Sequence, residues 1–459
     1  MLTAILGAAL AAADTSSGSV LFGWSPAWTA GAIFALCYAL VMSERFNRAN
    51  VALVAGGMMI FLRVIDQEQA IAGIDFNTLG LLVGMMLIVA VMRTTGVFQY
   101  LAIWSAKKAK ARPWGILVLL GLVTAIASAF LDNVTTVMLI VPVTLVITEE
   151  LEIPPYPFLF VEILFANIGG TATMIGDPPN IMLGSQVPHL SFLDFVLHLA
   201  PVIAIVAAAT FVPIWLLWGR KMRATPAAMA RVMEFDEKSA ILDRGLLVKC
   251  LVVVAAVIGG FILGHPYGLE PASIAMVGGA GLMLLSNLGR KIDEKNERVH
   301  SFFGHVEWTT IFFFVGLFVV VAGVKHAGLL RLLADEIVVR SHGDLETISY
   351  SVLWISALAS AVVDNIPFVA TMIPTLEGVI SGLGVGDAQS MGLWWSLALG
   401  ACLGGNGTLI GASANLIVAG YAERAGQRIK FITFLKHAFP MMLMSIGICQ
   451  VYVWLRYFN

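Results

Sequence analysis

Apolar stretches long enough to cross a lipid bilayer recur along almost the whole chain, from about residue 27 to residue 457. A helix needs about 20 apolar residues to span the hydrocarbon core of a membrane, and only helices or closed barrels satisfy every backbone hydrogen bond there. Charged residues make up 12% of the chain, about half the proportion found in a soluble domain. The sequence therefore predicts an all-α integral membrane protein with about 10–11 spans.

The loops between the apolar stretches differ in charge, and this predicts their orientation. Basic residues concentrate at 107–112 and again at 219–245, whereas the loop 66–75 is acidic. Short loops rich in lysine and arginine remain on the cytoplasmic side of a membrane. We therefore expect a multi-pass protein of the cell inner (plasma) membrane with both basic segments in the cytoplasm. A net charge of −2 without a basic face gives no indication of nucleic acid as a partner.

One sequence pattern occurs twice. SAFLDNV at 128–134 corresponds to SAVVDNI at 360–366, which lies 232 residues later. GGTATMIGDPPN at 169–180 aligns with GGNGTLIGASAN at 404–415, after a small insertion. The 232-residue spacing also aligns Gly84 with Gly316, Gly96 with Gly328 and Pro142 with Pro374. Such a long match at constant spacing indicates an internal duplication.

Equivalent loops of the two copies differ in charge. The acidic loop 66–75 corresponds to the basic loop 290–298, so the two face opposite sides of the membrane. This is typical of inverted-topology repeats, which in secondary transporters place the substrate site near the bilayer midplane. The predicted division is an N-terminal segment of uncertain fate (1–22), a first repeat (23–218), a cytoplasmic linker (219–245) and a second, inverted repeat (246–459).

Polar residues interrupt one apolar run in each copy. A re-entrant helix hairpin with the tip LDNVTT at mid-depth explains the first interruption, and this geometry is tolerated only where protein or water shields the backbone. The helix that begins at such a tip offers its positive end to an anion or a polar solute. The candidate binding residues at the two tips are Asp132, Asn133, Thr135, Thr136, Asp364 and Asn365.

A second interruption in each copy predicts an unwound transmembrane helix. IGDPPN at 175–180 places two prolines and a glycine inside an apolar run, so helical hydrogen bonding must stop there. The freed backbone groups and nearby oxygens could hold a small cation or a polar substrate. The second copy lacks the Asp and both prolines, so the two halves are chemically unequal. The candidates are Thr171, Thr173, Gly176, Asp177 and Asn180 in the first copy, and Asn406, Thr408, Ser413 and Asn415 in the second.

Other residues give weaker signals. The four cysteines are widely spaced and form no CxxC pair, so we expect them to pack and not to bind a metal. Glu162 lies early in its apolar stretch and is expected at the membrane interface. No cofactor is predicted, and no nucleophile with a base or HExxH pair supports an intramembrane hydrolase. A membrane scaffold without transport activity would not need polar breaks at mirrored positions.

Two motifs carry a resemblance to a known group of transporters. LDNVTTVMLIVP at 131–142 and ANIGGTATMIGDPPNIM at 166–182 resemble the ArsB/NhaD branch of the ion transporter superfamily, which includes arsenite permeases and melanosomal P protein-like transporters. The resemblance covers nearly the whole chain. Through sodium-coupled dicarboxylate carriers of similar fold, it implies that two hairpins and two unwound helices meet at the substrate site. It also implies a homodimer that works by an elevator motion.

The hairpin tips depart from those of the dicarboxylate carriers, which have a Ser-Asn-Thr signature. Asn133 and Thr135 match this signature at the first tip, and Asn365 matches it at the second. Asp132 stands where the carriers have Ser, and the second tip reads DNIPF, without the Thr that binds carboxylate in those carriers. A dicarboxylate is therefore a less suitable substrate.

The resemblance, together with three carboxylates at the predicted breaks (Asp132, Asp177 and Asp364), favours a secondary active transporter that exports arsenite or antimonite in exchange for protons. Burial favours the neutral form of a carboxylate and so brings proton exchange towards physiological pH. A sodium/proton antiporter is the alternative, because the same oxygens suit Na⁺. A transporter of a small organic or inorganic anion is a further alternative, favoured by helix N-termini and opposed by the acidic tips. The expected partners are the lipid bilayer, a small solute with protons or Na⁺ and, by analogy, a second copy of the chain and an arsenite ATPase subunit.

Overall fold

A computed structural model of the chain describes residues 23–43, 45–289 and 291–459, and the N-terminal segment 1–22 lies outside these residues. The regular structure within the described ranges is entirely helical. The first half contains α1 (Pro26–Met42), α2 (Arg48–Phe61), α3 (Gln67–Ala72), α4 (Phe76–Arg93), α5 (Val97–Lys108), α6 (Pro113–Phe130), α7 (Asn133–Glu150), α8 (Tyr156–Thr171), α9 (Pro178–Gln186), α10 (Phe192–His198) and α11 (Ala200–Ile214). After α12 (Pro226–Met233), the second half contains α13 (Arg244–Gly264), α14 (Pro271–Asn287), α15 (Ile292–Gly304), α16 (Trp308–His326), α17 (Leu329–Arg340), α18 (Leu345–Ser360), α19 (Asn365–Leu383), α20 (Asp387–Gly404), α21 (Ser413–Arg424) and α22 (Phe431–Val453).

Eight helices in the described ranges are long and apolar enough to cross a membrane, and four shorter apolar helices (α1, α2, α8 and α14) accompany them. Their burial separates central from peripheral helices. Only 22% of the most apolar window of α13 is buried, against 72% of that of α4. Because an apolar surface left open on a membrane helix faces lipid, α13 lies at the periphery and α4 lies at the centre.

The two halves exchange a pair of helices at the centre of the molecule. α4 packs against α14 of the other half, and its counterpart α16 packs against α2. A Cβ atom added to Gly84 would lie 2.5 Å from the Ala275 carbonyl carbon, and one added to Gly316 would lie 2.5 Å from the Leu53 nitrogen. The glycines that the repeat aligned therefore permit the same backbone approach in both halves.

We expect Gly84→Val to destabilise the protein by about 1–3 kcal/mol, because the added side chain must push two helix backbones apart. Gly316→Val should have a similar effect at the mirrored contact. Gly57→Ala is the control, because a Cβ atom at that position meets open space. Thermal unfolding of the purified variants in detergent measures the difference, and a Gly84→Val protein as stable as the control would contradict the tight packing.

Hairpins and unwound segments occur at equivalent places in the two halves. α6 and α7 are separated only by Leu131 and Asp132, and α18 and α19 only by residues 361–364. The helix breaks between α8 and α9 and between α20 and α21 repeat in the same way. The prediction of an all-α membrane protein built from two repeats, each with a hairpin and an unwound helix, is confirmed.

The same hydrogen bonds hold both copies of this arrangement. Ser128 in α6 donates to the carbonyl of Ala166 in α8 at 2.6 Å, and Ser360 in α18 donates to the carbonyl of Ala401 in α20 at 2.6 Å. Each unwound segment is tied back by an asparagine and a threonine. Asn180 donates to the carbonyls of Thr171 and Thr173, Asn415 donates to those of Gly405 and Thr408, Thr173 donates to Ala129, and Thr408 donates to Ala361.

The segment between the halves is attached to the first half by ion pairs. Arg231 contacts Glu150 at 3.1 Å, and Lys107 contacts Glu237 at 2.6 Å. The hydrogen bond from Lys107 is the largest influence on Glu237, and it lowers the pKa of that carboxyl. A carboxyl with a lowered pKa stabilises the folded contact above its ordinary pKa of about 4.3, and that stabilisation is lost as pH falls through the folded value.

Acidification is therefore expected to loosen the attachment of this segment. Limited proteolysis between residues 219 and 245 should accelerate as the pH falls below the ordinary range of a glutamate. Glu237→Gln should be cleaved faster than wild type at neutral pH and should lose part of the pH dependence. Equal cleavage rates for the variant and the wild type at neutral pH would show that the Lys107–Glu237 pair does not hold the segment.

Candidate functional site

Four helices begin at the centre of the molecule: α7 and α19 at the hairpin tips, and α9 and α21 after the unwound segments. Their N-cap residues are Asp132, Asp364, Asp177 and Ala412, respectively. Helix N-termini carry partial positive charge and favour nearby carboxylates. Three of the four helix starts carry an aspartate that this charge favours. The fourth, at the break of the second half, has Ala412.

A small cavity lies between these helix starts and helices α2 and α16. It leaves about 20 Å³ for the centre of a water-sized sphere, which is room for one water molecule or a solute of similar size. Its polar lining comes from Arg48, Asp132, Asn133, Asp177, Glu307, Thr310, Asn365 and Ser413. The lining thus combines residues of the hairpin tips and helix breaks of both halves with residues at the starts of α2 and α16.

Asp177 is fully buried and touches both hairpin tips. Its Oδ1 atom accepts hydrogen bonds from the side-chain amide of Asn133 at 3.3 Å and from that of Asn365 at 3.4 Å. The Cys402 thiol lies close to the same carboxylate. The Asp177 side chain makes no capping hydrogen bond to α9, although aspartate is a strong N-cap residue. The carboxylate therefore faces the cavity. Its hydrogen-bond donors are amides, and the ion pairs of the described residues do not include it.

Asn167 connects the first hairpin tip to the second unwound segment. Its Oδ1 atom accepts a hydrogen bond from Asn133 at 3.0 Å, and its Nδ2 atom donates to Asn406 at 2.9 Å and to Asn415 at 3.0 Å. The repeat aligns Asn167 with Cys402, whose thiol donates to Asn180 at 3.5 Å. One amide thus links the two halves beside Asp177.

Arg48, at the start of α2, neutralises the second tip. Its guanidinium donates to Asp364 Oδ2 at 2.8 Å, to Ser413 Oγ at 2.5 Å and to Thr310 Oγ1 at 3.2 Å. Asp132, the counterpart of Asp364, instead accepts hydrogen bonds from Thr135, and the ion pairs found in the described ranges do not include it. The two mirrored aspartates are therefore in different electrostatic environments.

The structure places the sequence-predicted residues in three groups. Asp132, Asn133, Asp177, Asn365 and Ser413 line the cavity. Asp364 lies behind it in contact with Arg48. The others support the tips and breaks. Thr135 donates to Asp132, Thr171 donates to the carbonyl of Asn167, and Thr136 is buried in α7. Gly176 lies close to the carbonyls of Ser128 and Gly170, and the residues that bond backbone or amide groups are Thr173, Asn180, Asn406, Thr408 and Asn415.

Sequence reasoning missed four polar residues of the site: Arg48, Asn167, Glu307 and Thr310. Glu307 could have been found, because the 232-residue spacing aligns it with Asp75. Both acids accept a hydrogen bond from the threonine three residues later, Thr310 and Thr78. Arg48 gave no signal, because an arginine in the short segment between two apolar stretches, where Arg45 also lies, resembles any loop residue.

The chain is similar to known membrane transporters. The sequence profile of the citrate transporter family (CitMHS) matches residues 38–400. Uncharacterized transporters of Mycobacterium tuberculosis are 41% and 40% identical to the chain, each over 93% of its length and over 97% and 98% of their own. The P protein of Homo sapiens is 34% identical over 92% of the chain and 59% of its own length. The predicted resemblance to the P protein group is confirmed, whereas membership of the ArsB/NhaD branch stays a prediction.

A solved structure shares the fold. The YdaH transporter of Alcanivorax borkumensis, described as having an unusual topology, superposes with a TM-score of 0.60 over 95% of this chain and 99% of its own. The two sequences are 14% identical. At that identity the likeness establishes the arrangement of helices and leaves the substrate open.

Proposed function

We propose that this chain, which belongs to the citrate transporter family of membrane transporters, is a proton-coupled antiporter for a small inorganic solute. The observation that carries the proposal is Asp177, a buried carboxylate that faces the cavity between two asparagine amides. A charge buried in the membrane is costly and marks a transport pathway by default. Such a carboxylate lowers this cost by binding either a proton or the transported solute.

Competition for Asp177 couples the two movements. When the carboxylate is ionised, it can accept a hydrogen bond from a hydroxylated solute or coordinate a cation. When it is protonated, it loses the negative charge that strengthens that hydrogen bond or coordinates the cation, so solute and proton compete for the group. A site that is filled by one or the other in each half of the cycle exchanges them across the membrane.

The first candidate solute is the neutral trihydroxide of As(III) or Sb(III), exported against protons. Its hydroxyl groups are hydrogen-bond donors, which suit the carboxylate of Asp177 and the amide oxygens of Asn133 and Asn365. A neutral solute also leaves the Arg48–Asp364 pair undisturbed. The resemblance to arsenite permeases supports this choice.

Sodium is the second candidate, favoured by the oxygen donors of the lining. Carboxylates and amide oxygens are the ligands that hard cations prefer, and Asp132, Asp177 and Glu307 all line the cavity. Citrate, in the name of the family, fits these residues less well. The lining has three acids against one arginine, and that arginine is already paired with Asp364.

Flux measurements in proteoliposomes test the proposal. A pH gradient should drive the movement of As(III) or Sb(III), or of Na⁺ and Li⁺, and a gradient of the transported solute should in turn move protons. Citrate and phosphate serve as anion controls. Absence of proton movement with all four inorganic solutes would refute the proposed antiport, and proton-coupled citrate flux would replace it with anion transport.

The remaining assignments belong to the same proposal. We place the two repeats at 23–218 and 246–459 with a cytoplasmic linker at 219–245, and the protein in the inner membrane. A homodimer with elevator motion and an association with an arsenite ATPase subunit follow only from the resemblance. Cross-linking in native membranes, with and without the ATPase, tests both partners.

A further inference from the structure

A second buried carboxylate lies away from the cavity, between α7 and α8. Glu162 has no exposed surface, and its Oε1 atom accepts a hydrogen bond from the Thr144 hydroxyl. Its Oε2 atom is buried without a partner among the described residues. The sequence suggested a position near the membrane interface, and the structure adds that α7 covers the side chain. Glu162 lies five residues before Asn167 in α8, about 7.5 Å along the helix from the amide cluster beside Asp177.

No basic group compensates this carboxylate in the part of the chain that the structure describes. The helices packed against α8 are α6, α7, α11, α20 and α21, and His437 of α22 also contacts the rings of Tyr156 and Phe160 in α8. Their titratable groups are Glu149 and Glu150 on α7, Asp387 and Cys402 on α20, Tyr421, Glu423 and Arg424 on α21, and His437 on α22. The hydrogen bonds and ion pairs of the described residues join none of them to Glu162. An isolated buried carboxylate is too costly to remain ionised, so Glu162 is held as the neutral acid.

The second half shows that the fold does not need this polar contact. The repeat aligns Thr144 with Leu376 and Glu162 with Leu397, and both leucines are fully buried between α19 and α20. A further buried polar residue of α7, Thr136, also aligns with an apolar residue of the second half, Phe368. Two apolar side chains thus fill the equivalent contact, so the acid in the first half is not required for packing.

We infer that Glu162 is a second proton-binding site of this transporter, separate from Asp177 and held by Thr144. In the described state the proton is on the carboxyl group. When the contact between α7 and α8 opens to water, the O–H bond breaks, the electron pair stays on the carboxylate and the proton passes to water. The reverse step restores the acid once per cycle. This inference deepens the proposed proton coupling and rests on it.

Infrared spectroscopy tests the bound proton without any transport. Wild-type protein in liposomes at neutral pH should show the C=O stretching band of a protonated carboxylic acid, shifted in D₂O. Glu162→Gln should lose intensity in that band, whereas Asp177→Asn should keep the Glu162 component. Full band intensity in folded Glu162→Gln protein would overturn the inference, whatever the outcome of the flux experiments.

The transport cycle tests the exchange of that proton. A Thr144→Leu/Glu162→Leu variant copies the second half and should fold, and its solute exchange should continue with one proton fewer per solute and a shallower dependence on pH. Glu162→Gln, which is isosteric, should behave in the same way if the double variant does not fold. Thr148→Val is the control, because the hydrogen bond of the Thr148 hydroxyl among the described residues goes to the carbonyl of Leu145 in its own helix. An unchanged proton ratio in both Glu162 variants would overturn the inference, even if the infrared band is lost.

Discussion

Asp177→Asn protein is expected to be correctly folded and unable to exchange solute for protons. Asparagine has the same shape as aspartate, and its carbonyl oxygen can still accept from Asn133 and Asn365, which now bond the carboxylate at 3.3 and 3.4 Å. The amide cannot bind a proton in the physiological range. We expect pH-driven flux to fall by about a hundredfold or more, which corresponds to about 2.7 kcal/mol of lost coupling.

A matched control separates this effect from a general loss of charge. Asp66→Asn makes the same chemical change at the exposed N-cap of α3, where asparagine caps a helix as well as aspartate does. Flux driven by a pH gradient should be unchanged in that variant. Asp177→Ala copies Ala412, the equivalent residue of the second half, and should also be inactive. If Asp177→Asn retained proton-driven flux, Asp177 would not be the exchange site, and Asp132 or Glu307 would take its place as the candidate.

The sequence predicted the frame of this site well, because the features that build it are local. Proline and glycine at 175–180 stop a helix wherever they occur, and an aspartate before an apolar run caps the next one. The duplication then doubled each signal, so both hairpin tips and both breaks were located. Asp132, Asn133, Asp177, Asn365 and Ser413 follow from these signals, and all five line the cavity.

The residues that sequence reasoning missed depend on tertiary packing. Arg48 starts a helix of the first half and reaches a hairpin tip of the second, 316 residues away. Asn167 lies inside an apolar helix and gains its importance from three other asparagines on separate segments. The sequence shows that Glu162 lies close to the start of its apolar stretch, and this predicted an interfacial position. It does not show that α7 packs over the side chain. Periodicity along one helix carries no information about which helix packs against it.

Arg48→Gln is expected to be the second most damaging substitution, because it leaves Asp364 without its cation. The carboxylate would keep only hydrogen bonds from Ser413 at 3.0 Å and from the Ile366 amide at 3.2 Å. The two side chains are 25% and 15% exposed, so the cost should be about 1–3 kcal/mol and below that of a fully buried pair. The next residue, Asn365, bonds Asp177, so the disturbance reaches the exchange site. We expect flux to fall about ten- to a hundredfold.

A double-mutant cycle shows whether Arg48 acts by neutralising Asp364. Arg48→Gln/Asp364→Asn removes both charges and should recover much of the flux and thermal stability that Arg48→Gln alone loses. Arg340→Gln is the control, because it removes an exposed arginine–glutamate pair, which should contribute little.

Arg48 and Ser413 also line a second cavity beside Phe46 and Leu416, so the guanidinium is part of the wall between that space and the central cavity. If the double variant were as inactive as Arg48→Gln, the arginine would act as that wall and not as a counter-charge. A proton leak through Arg48→Gln protein without solute would establish the same role directly.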